Sequence, residues 1–206
     1  MVQAKNVEEY IDMQRAAIAS NPECGTSHYN LAVALIGQKK YDEAEAELQE
    51  AIGCSPSLAE AYVQLGGICL QRGDLDGCLH YNTQSINSRA GFSEGYGNIG
   101  FIHLQKGDLD KAIAALKKAI IYNSNFLQAY TTLANAYLMK GLVLESIAAS
   151  LKALEIEPDF AIAHNNLAIS YMQNDQFDKA IEHIDIAIKL GYAVAPEIIK
   201  ELEQYR

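Results

Sequence analysis

A period of 34 residues is the strongest constraint on what this chain can fold into. The segment NLAVALIGQKKYDEAEAELQEAI, residues 30–52, is matched by NLAISYMQNDQFDKAIEHIDIAI, residues 166–188, which lies four periods later. No insertion or deletion interrupts the register across residues 25–194, so the sequence predicts a tandem array. A large aliphatic residue, always followed by a small one, recurs at each step: Leu31, Leu65, Ile99, Leu133 and Leu167.

Each period contains two apolar patterns with the spacing of an α-helix. In the last period, His164, Leu167, Ala168 and Tyr171 are spaced i, i+3, i+4, i+7, and a second pattern begins at Phe177. Small residues at corresponding places of both patterns let two helices approach closely. Because one hairpin cannot bury its own apolar face, the units must stack, and the sequence predicts an all-α solenoid of stacked antiparallel helical hairpins.

The turns between the two patterns carry specific signals for the end of one helix and the start of the next. Gly73, Gly107 and Gly141 suit the left-handed backbone conformation that ends a helix. Asp74 and Asp108, which follow two of these glycines, are predicted to cap the next helix.

These residues carry a resemblance to a known family. A 34-residue helical hairpin with Tyr130, Leu133, Ala134 and Tyr137, closed by Pro158, resembles the tetratricopeptide repeat (TPR). The resemblance implies a right-handed α-solenoid, the TPR superhelix. The predicted organisation is an N-terminal half-repeat or capping helix (1–24), five repeats (25–58, 59–92, 93–126, 127–160 and 161–194) and a C-terminal solvating helix (195–206).

Both ends of the predicted array differ from a full repeat. Residues 5–20 have the pattern of the second helix of a sixth repeat whose first helix is missing. Either this helix caps the array or the native protein is longer, and capping is the preferred interpretation. Residues 196–205 begin with proline and place Ile198, Ile199 and Leu202 on one face, which is typical of a helix that covers the last apolar surface.

Residues 82–100 depart from the pattern of the other repeats. Asn82 stands where Leu48 and Leu116 stand in other repeats, and several glycines crowd the start of the next helix. Interior glycines weaken a helix. The stretch is either tolerated drift in the middle of the array, or a hinge or a floor where a ligand approaches the backbone.

Composition excludes several classes of function. The net charge is −10 and no run of Lys or Arg is present, so we expect neither nucleic acid nor an anionic membrane as a partner. No apolar run is long enough to predict membrane insertion, and the cytoplasm is the default location. The four cysteines and five histidines show no metal-binding spacing, so no metal or cofactor is predicted. No nucleophile stands beside a base, so the chain is not predicted to be an enzyme.

The favoured function is a non-catalytic protein–protein interaction scaffold. In the family that the chain resembles, the first helix of each repeat lines a concave groove, which would hold an extended peptide or a partner helix. The acidic charge favours a neutral or basic partner. The alternative is a self-assembling scaffold, a homo-oligomer formed through the N-terminal half-repeat.

The resemblance also allows one partner class to be set aside. Some TPR proteins grip the C-terminal carboxylate of heat-shock chaperones with a clamp of Lys, Asn and Arg residues. All three cations of that clamp are missing here, so we expect no such clamp. The corresponding positions are Tyr29, Val33, Gln64, Glu94 and Asn98.

A polar position repeats immediately before the large aliphatic one and is the candidate binding site. A side-chain amide can both donate to and accept from a peptide backbone. This ladder resembles the asparagine ladder of the O-linked N-acetylglucosamine transferase superhelix, with Thr132 departing from it. The alternative is that these residues only solvate the groove. If they bind peptide, loss of Asn98 and Asn166 should weaken binding and leave thermal stability nearly unchanged. The predicted site comprises Asn30, Gln64, Asn98, Thr132 and Asn166, with Gly67, Gly97, Phe101 and Asn135 beside them.

Overall fold

The computed structural model of the protein describes residues 6–206. Over this range the chain forms twelve α-helices and no β-strand, which confirms the all-α prediction. The helices are α1 (Val7–Ser20), α2 (Gly25–Gly37), α3 (Tyr41–Cys54), α4 (Ala59–Gln71), α5 (Leu75–Ser88), α6 (Ser93–Gln105), α7 (Leu109–Tyr122), α8 (Leu127–Met139), α9 (Val143–Ile156), α10 (Ala161–Gln173), α11 (Phe177–Lys189) and α12 (Pro196–Glu203).

The helix starts follow the period of the sequence. The first helices of the hairpins begin at 34-residue intervals, at Gly25, Ala59, Ser93, Leu127 and Ala161. The second helices keep the same interval, at Tyr41, Leu75, Leu109, Val143 and Phe177. Helix α1 begins at Val7, one interval before Tyr41, so it has the register of a second helix.

The chain divides into two compact units, one ending at Asn98 and the other beginning at Ile99. In the first unit, α2 packs on α3, α3 on α4, and α4 on α5. In the second unit, α7 packs on α8, α8 on α9, α9 on α10, and α10 on α11. Each unit therefore contains stacked helical hairpins, as predicted. Among the helices of residues 6–206, none combines the length and the apolar character needed to cross a bilayer.

Small residues of the repeat pattern lie in the core of both units. Ala32 of α2 and Ala44 of α3 have no exposed surface, and Leu31 and Leu48 pack in the same cluster. Close helix packing requires this alternation of small and large side chains. The second unit repeats it with Leu167, Ala168, Ala180 and Ile184.

The hairpin turns adopt the left-handed backbone conformation that the glycines predicted. Gly73, Gly107 and Gly141 have φ angles of 76°, 77° and 76°. The corresponding position of the first hairpin is Lys39, with φ 60°, and that of the last hairpin is Asp175, with φ 54°. The turn is therefore kept where glycine is absent.

The predicted aspartate caps behave differently from each other. The side chain of Asp74 accepts a hydrogen bond from the backbone N–H of Gly77 at 2.8 Å, as predicted. The prediction for Asp108 is wrong, because its side chain makes no capping hydrogen bond to α7. The Asp108 carboxylate instead lies 3.3 Å from the Lys111 ammonium and 3.3 Å from Nδ1 of His103. The hydrogen bond from Lys111 lowers the pKa of Asp108.

The helices at the two ends pack on their neighbours. In α1, Ile11 is buried and Ile18 packs against the same cluster, which contains Leu31 of α2. In α12, Leu202 has no exposed surface and lies in the cluster around α10 and α11. The rings of Phe177 and Tyr205 stack with centroids 3.6 Å apart.

Asn82, the polar exception in the repeat pattern, is completely buried and hydrogen-bonded. Its Nδ2 donates to the backbone carbonyl of Cys78 at 2.8 Å, and its Oδ1 accepts from Nδ2 of Asn98 at 2.8 Å. A buried amide with partners on both ends avoids the cost of an unpaired polar group.

The glycines next to this asparagine allow helices of the first unit to approach closely. A Cβ at Gly66 would lie 2.4 Å from Nδ2 of Asn82, and a Cβ at Gly95 would lie 2.2 Å from Oγ of Ser85. These two glycines therefore have a packing role. The hinge remains a prediction, and it would be tested by whether amides of residues 90–100 exchange hydrogen faster than those of residues 127–140.

Candidate functional site

The ladder positions of the first unit differ in how free their side chains are. Asn30, Gln64 and Asn98 are all half-buried. The Asn98 amide donates to Asn82 within the fold. Gln64 lies beside the hydroxyl of Tyr29. The pKa of Tyr29 is raised, because burial and the charge of nearby Glu60 outweigh the opposite effect of its hydrogen bond with Gln64. Within residues 6–206, the Asn30 side chain has no hydrogen-bond partner.

The ladder positions of the second unit are engaged in the fold. Thr132 Oγ1 donates to the carbonyl of Gln128 on the same helix at 2.7 Å. Asn166 is only 9% exposed, and its Nδ2 donates to the carbonyl of Thr131 at 3.2 Å. Removing such a buried donor leaves its acceptor unpaired. These hydrogen bonds favour some loss of stability when Asn98 and Asn166 are removed, and thermal unfolding of the double variant would test the expectation that stability stays nearly unchanged.

The residues predicted beside the ladder are unequally accessible. Gly67 on α4 is exposed, and no heavy atom lies within 4 Å of the place where its Cβ would be. Asn135 on α8 is exposed as well. Phe101 on α6 is half-buried, and Gly97 on the same helix is buried.

A groove of about 1010 Å³ lies between α1 and α2 in the first unit. Its apolar walls include Val7 and Tyr10 of α1 and Val33 of α2, and Val7 and Val33 are 52% and 40% exposed. Asn30, whose amide has no partner within residues 6–206, contributes to its lining, and Glu8 is the only charged residue among the lining residues that the structure describes. We call this feature the α1–α2 groove. It joins a large apolar surface to a small number of polar groups, the usual composition of a binding site.

One polar atom near the α1–α2 groove is buried without a partner. The Oε1 atom of Gln38, a lining residue at the end of α2, accepts no hydrogen bond from the part of the chain that the structure describes. A buried acceptor without a donor is costly, and a ligand that supplies a donor would remove that cost.

A smaller opening of about 150 Å³ lies in the same unit, beside α2 and α4. It is lined by Gln64 and Gly67, two predicted site residues, together with Tyr41 and Gln71. Asn30 and Gln64 thus line separate openings on the first helices of consecutive hairpins.

The structure contains two histidine bridges that the sequence analysis did not predict, because it considered the histidines only as metal ligands. His28 Nε2 donates to the carbonyl of Pro22 at 2.9 Å, and its Nδ1 lies 2.6 Å from Oε2 of Glu47. At the same places four periods later, His164 Nε2 donates to the Pro158 carbonyl at 2.9 Å. The position of Glu47 is then occupied by His183, whose Nδ1 lies 2.9 Å from Nδ1 of His164. The available signal was that histidine recurs at the same position of the repeat, at His28 and at His164 four periods later.

The two bridges have opposite pKa shifts. Burial alone would lower the pKa of His28, but hydrogen bonds to Glu47 and Pro22 and the charge of Glu47 outweigh it, so the pKa is raised. Burial lowers the pKa of His183, and the neighbouring His164 lowers it further. One bridge therefore favours a charged imidazole and the other a neutral one.

No group of three or more His, Cys, Asp or Glu side chains suited to a metal ion occurs among the described residues. The four cysteines are free thiols. Burial raises the pKa of Cys78 to about 11, so this thiol stays protonated and unreactive at neutral pH.

Comparison with protein families decides the relationship that the fold suggests. Four family models described as TPR or tetratricopeptide repeat match residues 13–59, 100–141, 127–160 and 149–182, which together make up more than half of the chain. The chain belongs to the tetratricopeptide repeat family. No curated protein matches this TPR protein by sequence.

Solved structures of other TPR proteins share the fold at low sequence identity. YrrB, described as a TPR protein with an unusual peptide-binding site, is 20% identical over 87% of this chain and 93% of its own, with a TM-score of 0.69. A MamA structure is also 20% identical, over 85% of this chain and 100% of its own, with a TM-score of 0.69. A chain of the APC/C hetero-tetramer Cut9–Hcn1 is 18% identical over 96% of this chain and 39% of its own, with a TM-score of 0.82. At these identities the likeness concerns the fold alone.

Membership of the TPR family implies a protein–protein interaction scaffold, and proteins of this family are generally non-catalytic. The partner class of this TPR protein is therefore a protein or a peptide.

Proposed function

We propose that this TPR protein is a non-catalytic scaffold that binds an extended peptide or a partner helix on the surface of its first helices. The observation that carries the proposal is that consecutive first helices each line an opening: Asn30, unpaired within residues 6–206, lines the α1–α2 groove, and Gln64 and Gly67 line the opening beside α4. The YrrB description, which names a peptide-binding site, supports the same class of ligand.

The chemistry of the first unit suits an extended peptide. The Asn30 amide carries a donor and an acceptor, so it matches the two hydrogen-bonding groups of a peptide unit. The open space at Gly67 would receive a side chain. The net charge of −10 favours a neutral or basic partner. Asn98, Thr132, Asn166, Phe101, Asn135 and Gly97 stay in the proposed site, and the cytoplasm stays the proposed location, on sequence grounds.

The experiment selects binders from a library of random peptides and compares two matched substitutions. Gly67→Val fills the opening on the first helix α4, and Gly53→Val places the same side chain on the second helix α3. Both glycines are exposed and have no neighbouring atom within 4 Å of a Cβ. We expect Gly67→Val to weaken peptide binding about tenfold and Gly53→Val to leave it unchanged. Equal affinities for the two variants would contradict the proposed face.

Self-assembly through the N-terminal helix remains the alternative. Ile11 of α1 is buried against α2 of the same chain, which favours a capping role for this helix. Light scattering of the whole chain and of a chain that starts at Gly25 separates the two functions. A dimer that becomes a monomer on truncation would favour assembly.

A further inference from the structure

The repeat register gives the α1–α2 groove a counterpart in the second unit. Helices α1 and α2 begin at Val7 and Gly25, and α9 and α10 begin four periods later at Val143 and Ala161. In the second unit, α8 packs against both α9 and α10. By the same register, a helix equivalent to α8 would lie beside both α1 and α2 in the first unit, where the α1–α2 groove is.

Equivalent residues of the two units differ in exposure. Asn166 and Ser170 of α10 are 9% and 0% exposed. Their equivalents on α2 are Asn30 and Ala34, which are both half-exposed. Within residues 6–206, the first unit therefore leaves partly exposed the surface of α2 whose equivalent on α10 is buried in the second unit.

The hydrogen bond made by the buried asparagine indicates what its exposed equivalent is able to bind. Nδ2 of Asn166 donates to the backbone carbonyl of Thr131 in α8 at 3.2 Å. Asn30 has the same place on α2 and no partner within residues 6–206. Gln38 Oε1, eight residues further along, is buried without a donor. The two polar groups are about 12 Å apart along the helix axis at 1.5 Å per residue.

We infer that the α1–α2 groove is the seat of an amphipathic α-helix supplied by a partner protein, in the place that α8 takes in the second unit. This inference rests on the proposed function and names the class of partner. The 13-residue helix α8 provides the pattern of such a ligand. Leu133 and Ala134 are buried as a large and a small residue side by side, and the Thr131 carbonyl is the acceptor.

The charge of the groove restricts the ligand further. Among the described lining residues Glu8 is the only charged one, so an acidic helix is disfavoured. The ligand helix carries a carbonyl that accepts from Asn30, and a hydroxyl, amide or ammonium group that donates to Gln38.

The first experiment uses this chain's own helix as the probe. A synthetic peptide of residues 124–142, SNFLQAYTTLANAYLMKGL, carries α8 and one positive charge, from Lys140. We expect it to bind the full chain in fluorescence anisotropy, and a peptide of the same composition in scrambled order not to bind. If the α8 peptide does not bind, the linked version described below decides, and its failure would overturn the inference.

Substitutions in the groove locate the binding. Val33→Asp places a charge on the apolar wall and should weaken binding at least tenfold, while Ile121→Asp, at a 76% exposed position of α7, should leave it unchanged. Asn30→Ala should weaken binding about threefold to tenfold, the value of one hydrogen bond. Binding that survives Val33→Asp would mean that the peptide binds outside the α1–α2 groove, and the inference would be wrong.

Gly67→Val separates this inference from the proposed function. The substitution fills the opening beside α4, outside the α1–α2 groove, so it should weaken extended peptides and leave the helical peptide unaffected. Loss of helical-peptide binding in Gly67→Val would contradict the α1–α2 groove as the site of the helix. Unchanged affinity for extended peptides would contradict only the proposed function.

A linked version removes the cost of ordering a free peptide, which is large for short helices. In the linked version, a second copy of residues 124–142 replaces residues 1–6. The copied Leu142 then directly precedes Val7, as the native Leu142 precedes Val143 in the second unit. We expect hydrogen exchange of α1 and α2 amides to slow relative to a chain carrying the scrambled segment. Unchanged exchange would overturn the inference. A native dimer that Val33→Asp dissociates would also overturn it, because a second copy would then fill the seat.

Discussion

At the scale of single residues, the hairpin turns show where local conformation and residue type disagree. Lys39 has the left-handed backbone that glycine adopts in three other hairpins. For an L-residue this conformation costs about 1–2 kcal/mol. Asp175 occupies the same place in the last hairpin, but aspartate tolerates the conformation better because its short side chain bonds to nearby backbone.

Lys39→Gly should therefore stabilise the chain, by up to about 1 kcal/mol after the entropic cost of glycine is subtracted. The free energy of unfolding in urea measures the effect. Asp175→Gly should give a smaller gain, and the reverse change Gly73→Lys should destabilise. A loss of stability in Lys39→Gly would show that the lysine side chain makes a compensating contact.

Adjacent glycines of α4 provide a second residue-scale prediction. A Cβ at Gly66 would lie 2.4 Å from Nδ2 of Asn82, whereas a Cβ at Gly67 meets no atom within 4 Å. Gly66→Ala should destabilise by about 1–3 kcal/mol because it overpacks the interface. Gly67→Ala should stabilise by about 0.5–1 kcal/mol because alanine favours helix. Thermal unfolding of both variants is the measurement, and equal shifts would refute the packing role of Gly66.

At the scale of helical elements, the two histidine bridges give opposite dependence on pH. The folded pKa of His28 is raised, so its stabilisation is fully present below the unfolded pKa of about 6.5 and is lost as pH rises through the folded value. The folded pKa of His183 is lowered, so stability is lost as pH falls from about 6.5 through the folded value. Acid thus strengthens the α2–α3 bridge and weakens the α10–α11 bridge.

His183→Glu should reverse the pH response of the last hairpin. A carboxylate would then face His164 as Glu47 faces His28, while the nearby charges of Glu182 and Lys179 stay in place. The quantity to compare is the Tm at pH 5.5 minus the Tm at pH 7.5. We expect it to be about 2–4 °C higher in His183→Glu than in the native chain, which corresponds to about 1 kcal/mol. His183→Gln, which also loses the ring stacked on Tyr171, is the matched control. The same response in both variants would mean that the carboxylate is not responsible.

At the scale of the whole molecule, the constant interval between helix starts predicts interchangeable repeats. Deletion of residues 93–126 removes α6 and α7 together and keeps the register of the remaining helices. Because packing in repeat proteins is between neighbours, we expect a folded, shorter array with a cooperative urea transition. Deletion of residues 93–109 alone should leave a helix without its hairpin partner and lower the helicity seen by circular dichroism. An unfolded block deletion would show that the repeats are not interchangeable.

The fold was largely predictable because its signals are local and repeated. Helix starts, the glycine turns and the buried Leu31–Ala32 pattern follow from residue spacing within each hairpin. The absence of a side-chain cap at Asp108 was not predictable, because Lys111 and His103 compete for the same carboxylate. A short polar side chain takes whichever partner is nearest, and spacing alone does not specify that choice.

The sequence by itself determined the helices, their order, their period and the polar ladder position. Only the tertiary structure decided which ladder side chains are occupied: Asn98 bonds to Asn82, Asn166 bonds to the Thr131 carbonyl, and Asn30 has no partner among the described residues. The tertiary structure also decided that a groove lies between α1 and α2. The physical reason is range: helices form through bonds between residues four apart, whereas the partners of a side chain come from helices brought together by packing.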